Sequence, residues 1–389
     1  MSLLSAPLRP AEPYQYDPAK RRLAKSYRNS RLILEVISDP ILQIGFCLFF
    51  LVTGLSSALW RASVSLGVGN MVAGASYVFA FLAVMMVVQM PVAWYGGYAV
   101  EHRFGLSRQT VSAWLLDFGK VALLGFVIVV PISVGLYYLI PLSPVWWLWA
   151  SLVYAGLEIV ASTILPFVVV PMFYKLKPYE NMEHRNQLLN MAQKAGAKNI
   201  QRVMLVNESA RSGKANAFFT GIGNTRTMVL FDNLVSGFTP REVLTVVAHE
   251  LAHYVNKDIW RGAALSIVLT IPELYVANTL LQWFTGSFGI SGPSDPTGFP
   301  LILAALSIVG FALMPFSNGI SRILERQADE FALRVAEEPD AQASTERRLA
   351  DMNLSDDKPH WLVEMMFYTH PPPWKRVKLA EEWKLRNSR

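Results

Sequence analysis

Six stretches of the chain are apolar for twenty residues or more and contain no lysine or arginine: Ile41–Trp60, Met71–Tyr95, Val121–Ile140, Trp146–Met172, Gly262–Phe284 and Pro300–Gly319. At about 1.5 Å of rise per residue, roughly 20 such residues cross the hydrocarbon core of a bilayer as one helix. Buried helices of soluble proteins seldom sustain runs of this kind. Trp60, Trp94, Trp146, Trp147, Trp260 and Trp283 fall near the ends of the runs, where interfacial aromatics concentrate. The chain therefore reads as mainly α, a polytopic protein with about six transmembrane helices and the lipid bilayer around them. Composition agrees, since 52% of residues are apolar and 16% charged, against roughly 25% charged in soluble domains. The single cysteine, Cys47, excludes an intrachain disulfide and lies inside the first run as a small packing residue.

The formal charge of +6 gains meaning when it is divided by position. With the N-terminus in the cytoplasm, the outside loops are Arg61–Asn70, Pro141–Val145 and Thr285–Phe299. Arg61 is their only basic residue, so 34 of the 35 lysines and arginines lie on the cytoplasmic side. Lys20, Arg21, Arg22, Lys25, Arg28 and Arg31 form an anchor ahead of the first span, with anionic lipid as its natural contact. No basic-aromatic module accompanies them, so no nucleic-acid partner is expected. The first 40 residues lack the apolar core of a signal peptide, and the first span is expected to serve as an uncleaved insertion signal. Five regions result: a basic segment at 1–40, four spans over 41–172 with a cytoplasmic loop at 96–120, a cytoplasmic block at 173–261, a transmembrane hairpin at 262–319, and a cytoplasmic helical region at 320–389.

In the first cytoplasmic block, Met182–Ala195 is periodic as an amphipathic helix stopped by Gly196. Arg202–Val206 and Thr227–Phe231 are β-type runs separated by Gly213, Gly221, Gly223 and Asn224, which predicts a hairpin-like pair. Thr239-Pro240-Arg241-Glu242 then supplies an N-cap, proline at the first helical position and the capping-box glutamate. A helix is predicted from there to about Val255.

That helix contains His249-Glu250-Leu251-Ala252-His253, the H-E-x-x-H pattern. Residues four apart share a helix face, so both imidazoles can approach one Zn²⁺ while Glu250 serves as general base. Catalytic zinc sites use three protein ligands, so one is missing. Candidates are Glu273, Asp258, His184, His370 and Glu325. Glu273 follows Pro272 in mid-span, too deep to reach a helix outside the bilayer. His253 stands just before the hairpin leaves the cytoplasm, and Glu325 just after it returns, which brings these two to the same side at similar depth. Asp329 lies one turn beyond Glu325, so one carboxylate can bind metal while the other orients a ligand imidazole. The competing reading of that pair is a solvated face balanced by Arg322 and Arg326. The in-membrane acids Glu158 and Glu273 either face a polar interior or sit protonated between helices.

These residues resemble the CAAX prenyl protease 1 family of integral-membrane zinc endopeptidases. The likeness includes Asn216-Ala217-Phe218-Phe219 and Val229-Leu230-Phe231-Asp232 upstream, Glu325 and Asp329, and His370-Pro371-Pro372 with Arg376 downstream. It extends to Glu101, Phe104-Gly105, Thr110, Trp114, Asp117 and Lys120 after span two, covering about Ile41 to Arg376. The resemblance implies a helical membrane protein enclosing a chamber, with a zincin-like cytoplasmic catalytic region containing a small β element. It assigns His249, His253 and Glu325 as ligands of one catalytic Zn²⁺, Glu250 as general base and Asp329 as the partner of a ligand. Asn216, Ala217 and Phe218 would belong to an edge strand that pairs with the substrate backbone. His370 and Arg376 would bind substrate or stabilise the oxyanion. The implied partner is a peptide or protein substrate, membrane-associated or partly unfolded.

Two departures from the family are visible. Its members commonly have seven spans where this chain has six, and Asn387-Ser388-Arg389 carries no dilysine retrieval signal. The second favours a bacterial-type cytoplasmic membrane over the endoplasmic reticulum. The competing enzyme class is a heat-shock type quality-control zinc protease, which lacks the Glu101–Lys120 motif. A zinc-stabilised scaffold or transporter is the non-enzyme alternative, and it has no use for Glu250.

Overall fold

A computed structural model describes residues 13–221 and 226–388. The predicted turn residues Gly223 and Asn224 and the terminal Arg389 lie outside them. The protein is mainly helical, and six of its helical stretches are long and apolar enough to cross a membrane. Large apolar side chains on these helices point outward, with Val87 67%, Leu123 65% and Val127 63% exposed, as lipid-facing surfaces require. Inside, Phe46, Phe50, Tyr77, Phe81 and Phe299 form one aromatic cluster. Trp146 donates its indole N–H to Asn278 Oδ1 at 2.8 Å within the helix bundle, so its polar group is satisfied away from water.

The first span differs from the sequence expectation at both ends. Helix α1 (Pro18–Val36) passes through a π-helical turn at Ile37–Gln43 into α2 (Ile44–Val52), making one continuous stretch. Pro40 has no N–H to donate, which accounts for the widened turn. At Gly54, φ is +74°, and the chain breaks there before α3 (Leu55–Val64). The expected run Ile41–Trp60 is therefore two elements, and the basic segment is helical from Pro18 into the span. The other spans follow as α4 (Asn70–Trp94), α5 (Val111–Leu139) and α6 (Trp146–Phe173).

A four-stranded sheet comes next, with β1 (Leu176–Pro178), β2 (Arg202–Val206), β3 (Ala217–Thr220) and β4 (Thr227–Phe231) in the order β1-β2-β4-β3. The two runs predicted as a hairpin are both strands, but β2 and β4 pair in parallel. The antiparallel neighbour of β4 is β3, a four-residue strand that leaves one edge of the sheet open. Parallel pairing is set by packing on α7 (Met182–Lys194) and α8 (Pro240–Val255), and the sequence of the two strands does not encode it.

Helix α8 begins as predicted, with Thr239 Oγ1 accepting from the Glu242 N–H and Glu242 Oε2 accepting from the Thr239 N–H. Leu251, Val247 and Ala248 bury one of its faces against Leu230, Leu234 and Met228. Helix α9 (Asp258–Trp283) crosses the membrane, and α10 (Phe299–Ala336) returns. At 38 residues α10 is about 57 Å long, so it projects well beyond a hydrocarbon core of roughly 30 Å. Its last turns pack on α8. Three C-terminal helices, α11 (Pro339–Met352), α12 (Trp361–Phe367) and α13 (Pro373–Asn387), close over the same region.

The segment after span two is tied to the chain leading into β3. Arg108 N–H donates to the Arg211 carbonyl at 2.8 Å, and Gly213 N–H to the Leu106 carbonyl at 3.2 Å. Asp117 pairs with Arg211 at 2.5 Å and Lys120 at 3.3 Å, and Glu101 with Lys214 at 3.0 Å. These contacts join Glu101 and Asp117 to the chain leading into β3 across about a hundred residues of sequence.

Candidate active site

Helix periodicity points His249 and His253 the same way from α8, and the overhanging end of α10 brings Glu325 against them. His249 Nε2 lies 3.1 Å from Glu325 Oε2, and His253 Nε2 lies 3.6 Å from Glu325 Oε1. One donor atom from each of the three residues falls within 4.8 Å of the others. The remaining ring nitrogens are held by carboxylates: His249 Nδ1 is 2.9 Å from Asp329 Oδ1, and His253 Nδ1 is 2.8 Å from Asp258 Oδ2. Each Nδ1–H therefore donates to an aspartate, which leaves each Nε2 as the ring atom turned toward Glu325.

Glu325 Oε2 is buried and has no hydrogen-bond partner among the described residues, although His249 Nε2 stands 3.1 Å away. Two such atoms at this distance call for a positive charge between them, which a proton or a metal ion can supply. Two imidazoles, each oriented by an aspartate, and one carboxylate are also the donor set of a catalytic metal site with an open position. Burial opposes a charge on His249, but the Asp329 and Glu325 carboxylates beside it outweigh burial and lift its pKa to about 10, a negative field that favours a proton or a metal ion at Nε2 alike. The pocket is thus built to hold positive charge.

Among the candidates for a third ligand, Glu325 alone stands between the two histidines. Asp258 is the hydrogen-bond partner of His253. His184 is buried elsewhere, with Nδ1 on the Tyr179 hydroxyl at 2.9 Å. His370 Nε2 reaches Glu325 Oε1 at 3.3 Å from the opposite wall. Arg376 forms a fork on Asp329, with Nε to Oδ2 at 2.8 Å and Nη2 to Oδ1 at 2.5 Å, and its Nη1 meets Glu346 Oε2 at 2.8 Å.

A cavity of about 620 Å³ opens in front of these groups, lined by Glu250, His249, His370, Asn216 and Arg376 among others. Desolvation holds the Glu250 carboxyl above its ordinary range, partly offset by the two imidazoles. Asn216 stands at the start of β3, where its carbonyl accepts from Phe231 N–H at 3.0 Å and its Oδ1 from Ala217 N–H at 2.8 Å. Ala217 and Phe218 continue that strand. Glu346 and the orienting role of Asp258 were not visible in the sequence. Asp258 had a positional signal, five residues past His253, but Glu346 had none.

Comparison with known proteins extends the picture. The sequence model of peptidase family M48 matches residues 178–384, and that of the CAAX prenyl protease N-terminal region, with five membrane helices, matches 9–175. An uncharacterized metalloprotease, YhfN, of Bacillus subtilis is 28% identical, over 94% of this chain and 86% of its own. CAAX prenyl protease 1 of Saccharomyces cerevisiae is 26% identical, over 91% and 84%. The crystal structure of S. mikatae Ste24p superimposes with a TM-score of 0.79 at 24% identity, covering 94% of this chain and 89% of that one, and so shares its fold. The family match covers more than half of the residues and includes every group just described, and the chain belongs to peptidase family M48 as a membrane metalloprotease similar to CAAX prenyl protease 1.

Proposed function

We propose that this metalloprotease is a zinc endopeptidase acting on extended peptide or protein chains. The observation that carries the reading is the convergence of His249, His253 and Glu325 donor atoms within 4.8 Å, with Glu250 on the same helix and on the cavity wall. These three residues would hold one Zn²⁺, which when bound supplies Lewis-acid activation of water and of the scissile carbonyl. Glu250 accepts the proton of the attacking water and returns it to the leaving amine, a task suited to a carboxylate that burial makes more basic. Asp329 and Asp258 fix the two imidazoles so that Nε2 faces the ion. His370 donates to the developing oxyanion, and Arg376 braces Asp329 and borders the substrate cleft.

The substrate backbone adds to the open edge of β3, beside Asn216, Ala217 and Phe218. Both termini and the metal site are assigned to the cytoplasmic side, on the strength of the positive charges outside the spans. With it goes the division into spans, cytoplasmic block, hairpin and C-terminal helical region. The test is cleavage of internally quenched peptides by the purified protein. Activity should disappear with a chelator and return with stoichiometric Zn²⁺. Cleavage indifferent to chelator would remove the proposed cofactor.

A further inference from the structure

A second basic feature, separate from the peptidase reading, lies where α10 leaves the membrane. Phe316 and Ile323, seven residues apart on one face of that helix, are 52% and 57% exposed. This exposed apolar stripe continues into a groove of about 420 Å³ between α10 and α13. The groove has Ile323, Trp374 and Leu379 as apolar surface, and five basic side chains against three acidic ones.

Four of the basic groups lie at its rim. Arg322 makes no ion pair among the described residues, and its Nη1 donates to the Glu364 and Tyr368 carbonyls at 2.9 and 2.6 Å. Its charge is therefore not neutralised by a carboxylate. Arg326, Lys375 and Lys378 have acidic neighbours at 3.1, 2.5 and 3.7 Å, but their side chains are 67%, 43% and 62% exposed. The Arg326 and Lys378 pairs, exposed on both partners, are weak and yield to a better anion, whereas Lys375 is held by Glu364, which is 16% exposed, and offers its remaining N–H groups.

Depth supports a headgroup. Arg322 and Arg326 stand three and seven residues past Gly319, the end of the apolar run, or about 4.5 and 10 Å along the helix. The headgroup layer on one side of a bilayer is roughly 5–8 Å thick, within reach of snorkelling arginine and lysine side chains. An interfacial tryptophan, Trp374, completes the rim. We propose that this groove binds the headgroup of an anionic phospholipid, with its acyl chains along Phe316 and Ile323 and its phosphate among Arg322, Arg326, Lys375 and Lys378.

The test is native mass spectrometry of the full-length protein in detergent, offered equimolar phosphatidylglycerol and phosphatidylcholine with the same acyl chains. The wild type should retain phosphatidylglycerol in preference, on the order of tenfold. A triple variant, Arg326→Gln, Lys375→Gln and Lys378→Gln, should lose that preference while keeping the wild-type melting temperature. Arg322 is left unaltered because it also holds the chain before His370. If the triple variant is unstable, Lys378→Gln alone, at an exposed position, should reduce the preference a few-fold. Equal retention of the two lipids by the wild type, or an unchanged preference in the folded variants, overturns the proposal. Displacement of phosphatidylglycerol by millimolar inorganic phosphate also overturns it, in favour of a free-anion site.

Discussion

His249 Nδ1 meets Asp329 Oδ1 at 2.9 Å across 80 residues of sequence and a complete transmembrane hairpin. The same carboxylate takes both nitrogens of the Arg376 fork, so one aspartate joins the helix of His249 to the C-terminal helix. Asp329→Asn keeps the shape but removes the charge that fixes the imidazole. Metal affinity should fall about 10–100-fold, as for other partners of metal ligands. Competition with a chromophoric chelator measures this, on protein shown by its melting transition to be folded. Wild-type affinity in the folded variant would contradict the role.

Asp258 does the corresponding work for His253 from the first turn of α9. Its other oxygen pairs with Arg261, which is 39% exposed, so the site is wetter than that of Asp329. Asp258→Asn should therefore weaken metal binding less than Asp329→Asn does. The same chelator competition ranks the two, and a larger loss at Asp258 would reverse the assignment.

Among the described residues, β3 turns one unpartnered main-chain donor to its open edge. Asn216 and Phe231 are a hydrogen-bonded pair, so the ladder alternation turns Ala217 and Phe219 toward the open side. Ala217 N–H is already held by Asn216 Oδ1, which leaves Phe219. Phe219→Pro should raise KM several-fold, the equivalent of about 1 kcal/mol for one hydrogen bond, with a smaller change in kcat. Phe219→Ala controls for lost packing, and equal effects of the two substitutions would count against backbone pairing.

Glu346 gives a pH dependence. Burial lifts its carboxyl from 4.5 to about 7, with Arg376 opposing the shift and the Asp329 charge adding to it. The native state therefore binds this proton more tightly than the unfolded chain does. The stability it contributes is complete below pH 4.5 and is lost as pH rises through 7. Glu346→Gln cannot ionise, so its melting temperature should gain on the wild type between pH 5 and pH 8. A gap between the two that stays constant over this range would contradict the shift.

Much of this architecture was legible because strong local rules apply at the site. Thr239, Pro240 and Glu242 announce the start of α8, and the spacing of His249 and His253 needs only helix geometry. Glu325 and Asp329 were legible through topology, since a hairpin returns to the side it left. The start of the first span was not, because α1 is a charged helix whose continuity with α2 no apolar run reveals. Strands β1 and β3, at three and four residues, are too short for a periodic signal. The parallel pairing of β2 and β4, and the approach of Glu346 to Arg376, are products of tertiary packing that neither local sequence contains.

The most direct test of the central claim is Glu250→Gln, which keeps shape and removes the base. Peptide cleavage should fall by at least about 100-fold, the lower range for losing a general base, with metal content and melting temperature those of the wild type. A metal-loaded, folded Glu250→Gln protein that cleaves peptides at the wild-type rate would contradict the account.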